Sequence, residues 1–233
     1  MKKSIFTLLM ACLAVSTWAK EMPKAGFGVQ FGWAQPLMRM NNDGSYHTLN
    51  TVHLKGLKAG VVYDASFVAG FGSSIGINYT YGNSHTKWAK KDLTFSERKL
   101  YDYHQLELFV DWQYKFEVAK ETYIILYTGP SLQCGLKYNN KYELRNDALR
   151  EKVKDQCTSV ERYDTDQHDL AMRRLNVTWG VGVGFQYQRY FLRGGYDFGL
   201  VNPYKHEDFA NGNHTHGRID QWNIRAGVYL WYK

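Results

Sequence analysis

The sequence predicts an all-β fold: an eight-stranded antiparallel transmembrane β-barrel of the outer-membrane type, with four long extracellular loops. Three observations predict it. Apolar residues recur with a period of two along most of the chain, the signature of strands with one apolar face. The opposite face carries glycines together with mid-segment charges of both signs. The connections alternate long and short, as in barrels with loops at one end and tight turns at the other.

The chain has 233 residues, with 7 Trp, 18 Tyr and 12 Phe. Charged residues make up 22% and aromatics 16%, which excludes a disordered chain. Beyond the N-terminal stretch, no run of about 18 apolar residues offers a transmembrane helix. Met1–Lys20 reads MKKSIFTLLMACLAVSTWAK. Lys2 and Lys3 precede an apolar stretch, Ile5 to Val15, too short to span a bilayer, and Thr17-Trp18-Ala19 has small-x-small form. Residues 1–19 are therefore expected to be a cleaved signal peptide, and residues 20–233 the barrel domain. A lipoprotein box at Leu9–Cys12 is the rival reading, but Cys12 comes very early. Cleavage removes two lysines and no acids, so the net charge falls from +7 to +5. The Lys and Arg are scattered rather than gathered in a stripe, which argues against nucleic acid as a partner.

Eight segments alternate. Phe27, Val29, Phe31 and Trp33 define the first apolar face. Leu57, Ala59, Val61, Tyr63, Ala65 and Phe67 define the second, against Lys58 and Asp64. Phe71, Ile75, Ile77, Tyr79 and Tyr81 form the third. Leu106, Leu108, Val110, Trp112, Tyr114 and Phe116 form the fourth, against Glu107 and Asp111. Ile124, Leu126, Thr128, Pro130, Leu132 and Leu136 form the fifth. Leu175 through Tyr187 alternates with Gly180, Gly182 and Gly184 in the sixth, with Arg174 at its head. Tyr190, Leu192, Tyr196, Phe198 and Leu200 oppose Arg193 and Asp197 in the seventh. Trp222, Ile224, Ala226, Val228 and Leu230 oppose Asn223, Arg225, Gly227 and Tyr229 in the eighth.

Charges at mid-strand need partners, because an unpaired buried charge is very costly. A closed barrel supplies them by turning every polar face inward, so Lys58, Asp64, Glu107, Asp111, Arg174, Arg193, Asp197 and Arg225 are expected to form an interior charge network. The apolar faces then meet lipid, and closure satisfies the backbone. The long connections fall at 37–53, 83–99, 139–170 and 202–217. The short ones fall near Ala69, 117–121 and Gln188-Arg189. This predicts periplasmic termini in an outer membrane. Outward aromatics should then gather in two belts. Trp33, Tyr79, Tyr81, Phe198 and Trp222 fall at the outer end. Phe27, Phe67, Phe71, Trp112, Tyr114, Phe116, Phe185, Tyr187, Tyr190 and Tyr232 fall at the inner end, while Trp179 and Tyr63 fit neither belt.

Residues 55–202 resemble the PorT-like outer-membrane β-barrel proteins of Bacteroidetes. The likeness is carried by Gly56–Tyr63 (GLKAGVVY), Tyr103–Tyr114 (YHQLELFVDWQY), Tyr127-Thr128-Gly129-Pro130, Val177–Tyr187 (VTWGVGVGFQY) and Tyr196–Asn202 (YDFGLVN). The resemblance implies a Gram-negative outer-membrane location, a small barrel and, for some members, assistance with secretion or assembly. The chain departs from such barrels at its end, Tyr229-Leu230-Trp231-Tyr232-Lys233, where the terminal aromatic comes one place early.

An eight-stranded barrel is wide enough only for side chains, so the interior charges read most simply as structural, with a narrow polar path as the functional alternative. No catalytic residue, cofactor or metal is expected. Parts for a lipid-modifying hydrolase exist (His85, His104, Ser84, Ser96, Asp102), but no G-x-S-x-G elbow does. His206, Glu207, Asp208, His214 and His216 could hold zinc, but read more simply as a hydrophilic surface loop. Cys134 and Cys157 remain after processing, either free or bridged, since export permits a disulfide. Leu149, Val153 and Cys157 recur every four residues, which suggests a short helix over 147–157. The expected partners are outer-membrane lipid, the outer-membrane insertion machinery, and a surface protein or glycan that the loops contact, with the barrel itself a monomer. A soluble lipocalin-like barrel, with its apolar faces turned inward around a ligand, is the remaining alternative.

Overall fold

The computed structural model describes residues 25–41, 52–68, 70–85, 87–90, 95–146, 151–153, 159–161, 173–203 and 216–233. Eight long strands form the body: β1 (Ala25–Asn41), β2 (Lys55–Val68), β3 (Phe71–His85), β4 (Phe95–Ala119), β5 (Thr122–Asn146), β6 (Leu175–Tyr187), β7 (Tyr190–Gly199) and β8 (His216–Tyr232). Each pairs antiparallel with its sequence neighbour, and β8 pairs with β1, so the sheet closes on itself. No helix of the described residues is long and apolar enough to cross a membrane, which leaves spanning by strands unaffected.

The stagger follows from the register. Paired residues run from Ala25 through Ala65, Ser73, Trp112, Thr128, Val181, Tyr196 and Trp222, and return to β1 at Gln35. One circuit thus climbs ten residues. With a rise of about 3.3 Å per residue and strands about 4.8 Å apart, this gives a tilt of about 40° and a backbone radius of about 8 Å. Side chains alone fill such a bore.

One end carries three two-residue turns, each with a residue in the left-handed region: Gly70 (φ 86°), Glu121 (φ 57°) and Gln188 (φ 52°). This positive φ lets a tight turn follow the twist of its strands. The start of β1 and the end of β8 meet at the same place, where the Ala25 amide donates to the Lys233 carbonyl at 3.1 Å and Lys233 returns the bond at 3.0 Å. All the long connections leave the other end, the loop end.

The faces are sorted as a membrane barrel requires. Phe31 (57% exposed), Leu57 (54%) and Ile224 (55%) point outward, whereas Lys58, Glu107 and Arg193 are at most 2% exposed inside. A soluble barrel around an apolar ligand would show the reverse, so the lipocalin alternative is set aside.

Four expectations are corrected. First, β4 and β5 are 25 residues each and run far into the expected loops 83–99 and 139–170. Their edges recruit short strands at Ala89–Lys90, Glu151–Val153 and Ser159–Glu161. Second, the helix expected over 147–157 is not formed at its centre, because Glu151–Val153 pairs with Leu144–Asn146 as a strand. Edge pairing there satisfies backbone groups that a solvated two-turn helix would leave to its own weak cooperativity. Third, Tyr232 does not join the outward-facing aromatics of the inner belt. The register shifts so that Phe27 faces Trp231 while Gly28 faces Tyr229. Leu230 is the extra residue, and Leu230 and Trp231 both lie outside (59% and 49% exposed). The bulge reverses the alternation, and Tyr232 packs inward, its ring 5.1 Å from that of Tyr229. Fourth, Arg174 stands exposed one residue before β6, outside the interior. The expected signal peptide, residues 1–19, lies outside the described residues.

Candidate functional site: the filled interior and the projecting ribbon

Seven of the eight expected interior charges lie on inward positions of the strands, in storeys stacked along the axis. Nearest the turn end, Asp64 of β2 is the shared anion. Its Oδ2 receives Arg193 Nη2 at 2.7 Å and Lys115 Nζ at 3.3 Å, and accepts from the Tyr229 hydroxyl. Arg193 also donates to Ser74 (2.9 Å), Gln113 (3.2 Å) and Tyr229 (3.2 Å). Lys115, which the alternation places inward but the sequence reading left out of the network, donates to Gln186 at 3.2 Å. Val62, Phe109, Phe191 and Tyr229 pack as an apolar cluster among these polar groups.

Arg225 occupies the middle. Its guanidinium carbon sits 5.1 Å from the Phe109 centroid and 5.8 Å from that of Tyr127, and Asp111, two residues from Phe109 on the same inward face of β4, is buried as well. Two glycines make room for these rings. A Cβ on Gly76 would lie 2.6 Å from the Phe109 ring, and one on Gly182 would overlap Tyr127. The glycines of the polar face are thus seats for interior aromatics as well as weak points of the alternation.

Above this, Glu107 of β4 accepts Lys58 Nζ on both carboxylate oxygens (2.9 and 2.8 Å), Asn78 at 2.8 Å, and longer bonds from Gln133 (3.3 Å) and Gln221 (3.4 Å). Asn223 (2.9 Å) and Gln221 (3.3 Å) donate to Asp197. At the loop end the interior turns apolar again: Met38, Leu54, Tyr101, Tyr103, Tyr138 and Ile219 are all buried together. The Tyr138 ring lies 6.2 Å from that of Tyr101 and 6.3 Å from that of Tyr103. The alternation places Tyr101 and Tyr103 inward, whereas Tyr138 shares the parity of the outward Leu136 and turns inward only because the register shifts between His104–Lys137 and Gln105–Gly135; nothing local marks the three as a stopper. Their burial depends on Leu54 and Ile219, which arrive from distant parts of the chain.

Beyond this stopper β4 and β5 continue as a two-stranded ribbon, paired as far as Phe95 and Asn146. Pairing with β3 ends at Leu100, and from there to Phe95 the ribbon runs about 13 Å further along the barrel axis. Trp88 is held there between the guanidinium carbons of Arg98 (4.8 Å) and Arg145 (4.7 Å), and Arg98 pairs with Glu143 at 2.6 Å.

The other sequence-derived sites fare differently. His104 lies on the outer face, its Nδ1 2.6 Å from the Tyr79 hydroxyl, while Asp102 receives Asn83 at 3.0 Å. Ser84, His85 and Ser96 are on the same two strands, β3 and β4. Of the histidine cluster, residues 206–214 lie outside the described residues. Cys134 carries no disulfide to any described residue, and Cys157 lies outside them.

The fold and the filled interior define a closed barrel of the outer-membrane type: eight strands, a polar packed core and an apolar exterior. No known family profile matches the chain, and no curated protein matches it significantly. Among solved structures, the attachment invasion locus protein Ail of Yersinia pestis aligns at 11% identity and TM-score 0.41, over 89% of this chain and 99% of Ail. Neisserial surface protein A aligns at 12% identity and TM-score 0.41, over 88% and 99%. The N-terminal β-barrel domain of Pseudomonas aeruginosa OprF aligns at 10% identity and TM-score 0.35, over 88% and 100%.

Proposed function

We propose that this chain is an integral outer-membrane protein with periplasmic termini, whose closed barrel is a rigid anchor for the β4–β5 ribbon. The ribbon and its connecting segments then contact a protein or glycan partner outside the cell. The observation that carries this reading is the ribbon: β4 and β5 are 25 residues each, far beyond the 9–11 that a tilted strand needs to span a bilayer, and their pairing continues about 13 Å past the last β3–β4 pair. Binding surfaces are commonly borne by such projections from a rigid scaffold. Conduction is disfavoured by the tyrosine stopper and by the close hydrogen bonding of the interior charges. The PorT-like resemblance is consistent with assistance to secretion or assembly. Catalysis has no support in the outward His104 and Asp102, whose hydrogen bonds go to a tyrosine and an asparagine.

The test is to cut back residues 141–172 and crosslink intact cells. The reading expects a wild-type crosslinked partner to disappear while the shortened barrel still shows heat-modifiable gel mobility in the outer-membrane fraction. Unchanged crosslinking, or recovery of wild-type protein in the soluble periplasmic fraction, refutes it.

A further inference from the structure

The outer face carries one charge arrangement that the barrel itself does not need. Near the loop end, Arg39 of β1 and Arg218 of β8 are directly paired across the closing seam. Like charges facing each other on neighbouring strands repel. Between them lies Asp220, fully buried although it occupies an outward position of β8. Its Oδ2 is 3.3 Å from Arg39 Nε, 3.1 Å from Arg218 Nε and 2.8 Å from the Tyr196 hydroxyl, and its Oδ1 accepts the Gly199 amide at 3.0 Å. Arg39 Nη2 adds a 3.3 Å bond to the Tyr196 hydroxyl.

One carboxylate thus holds two guanidinium groups in fixed positions and neutralises one of them. Arg39 remains 37% and Arg218 45% exposed, so donors of both still face outward. Arg39 Nε reaches Asp220 in distance but not in hydrogen-bond geometry. The height of the pair on the barrel is also informative. Below it, Tyr196, Trp222 and Phe198 form an edge-to-face cluster with centroids 4.6 and 4.7 Å apart, the kind of aromatic belt that sits at a membrane interface. Arg218 is four residues beyond Trp222, about 10 Å further along the barrel axis, in the zone of lipid headgroups. A planar guanidinium pair suits a phosphate oxygen set better than ammonium groups do.

We infer that Arg39 and Arg218, preset by Asp220 and Tyr196, form a lateral site for the phosphate of a lipid headgroup in the leaflet surrounding the loop end. The bound phosphate supplies the second negative charge that the arginine pair lacks among the described residues. The site rests on the membrane-barrel reading above.

The experiment uses the full mature chain refolded in nonionic detergent, with retention of phosphatidic acid read by native mass spectrometry and titration. Wild type is expected to hold one phosphatidic acid at least tenfold more tightly than dioleoylglycerol, which lacks the phosphate. R39Q and R218Q should each lose much of that preference and the double variant all of it, with heat-modifiable mobility kept. K55Q, which removes an exposed cation on β2, should change nothing. A double variant that binds phosphatidic acid like wild type overturns the site. Millimolar inorganic phosphate that binds as well as the lipid overturns the headgroup as its ligand. Wild type that stays soluble without detergent refutes the membrane reading itself, and the site falls with it. A detergent-dependent barrel with indifferent arginine variants refutes the site alone.

Discussion

Asp64 is the anion on which the turn-end storey depends, and its replacement gives a sharp asymmetry. In D64N the cations Arg193 (2.7 Å) and Lys115 (3.3 Å) both lose their counter-charge in a site where the three side chains are at most 4% exposed. Breaking a buried pair from one side costs about 3–5 kcal/mol, and here two cations are stranded together, which puts D64N at or above the middle of that range. R193Q is milder: Asp64 keeps Lys115 and the Tyr229 hydroxyl, so about 2–3 kcal/mol is expected. The double variant D64N/R193Q should recover part of the D64N loss, because only Lys115 is then unpaired. The assay is urea unfolding of the refolded barrel, followed by tryptophan fluorescence and by loss of heat-modifiable mobility. With a slope of about 2 kcal/mol per molar urea, D64N should lower the midpoint by about 2 M. A midpoint within about 0.5 M of wild type, or a double variant less stable than D64N, would show that the storey is not organised around this carboxylate.

Four further outcomes follow from the same geometry. E107Q should cost about 3 kcal/mol in the same assay, since it leaves the Lys58 ammonium without the anion whose two oxygens it meets at 2.9 and 2.8 Å. G182V should overpack against Tyr127 and the Gly194 carbonyl and destabilise by about 1–3 kcal/mol, whereas G194A, which meets nothing nearer than 3.9 Å, should be tolerated. In a C134S/C157S background, W231C should react with a membrane-soluble thiol reagent and Y232C should not; equal labelling would contradict the Leu230 bulge. Planar bilayers with wild-type protein should show no nanosiemens steps, and such steps would refute the closed stopper.

The alternation made most of the barrel readable. Every strand has one face against lipid, and lipid accepts only apolar groups, so the period-two signal is stronger than in a sandwich. The interior charges were readable for the complementary reason: no other environment tolerates Lys58, Glu107 and Arg193 in mid-strand. What escaped depended on long-range pairing. Lys115 looks like an ordinary strand-end lysine until the circuit brings Asp64 beside it. Tyr101 and Tyr138 are inward aromatics whose stopper role requires Leu54 and Ile219 from other strands. Arg174 continues the inward parity but falls just short of β6, at an exposed position. The Leu230 bulge breaks the parity rule by one residue at the chain end, and a one-residue slip reverses every later side chain. The Arg39–Asp220–Arg218 group was invisible because its members lie at opposite ends of the sequence.

That meeting of ends has a consequence for how the molecule can be rearranged. With Ala25 and Lys233 exchanging backbone hydrogen bonds, the protein is a ring of four hairpins cut at one of its short-turn positions. The missing fourth turn would lie between β8 and β1, so a two- or three-residue linker there, with new ends opened inside 42–51 or 204–215, should produce a permuted chain with the same eight pairings. In that chain the Arg39–Arg218 seam would be an internal hairpin, formed early from local contacts instead of last by closing a loop of the whole barrel.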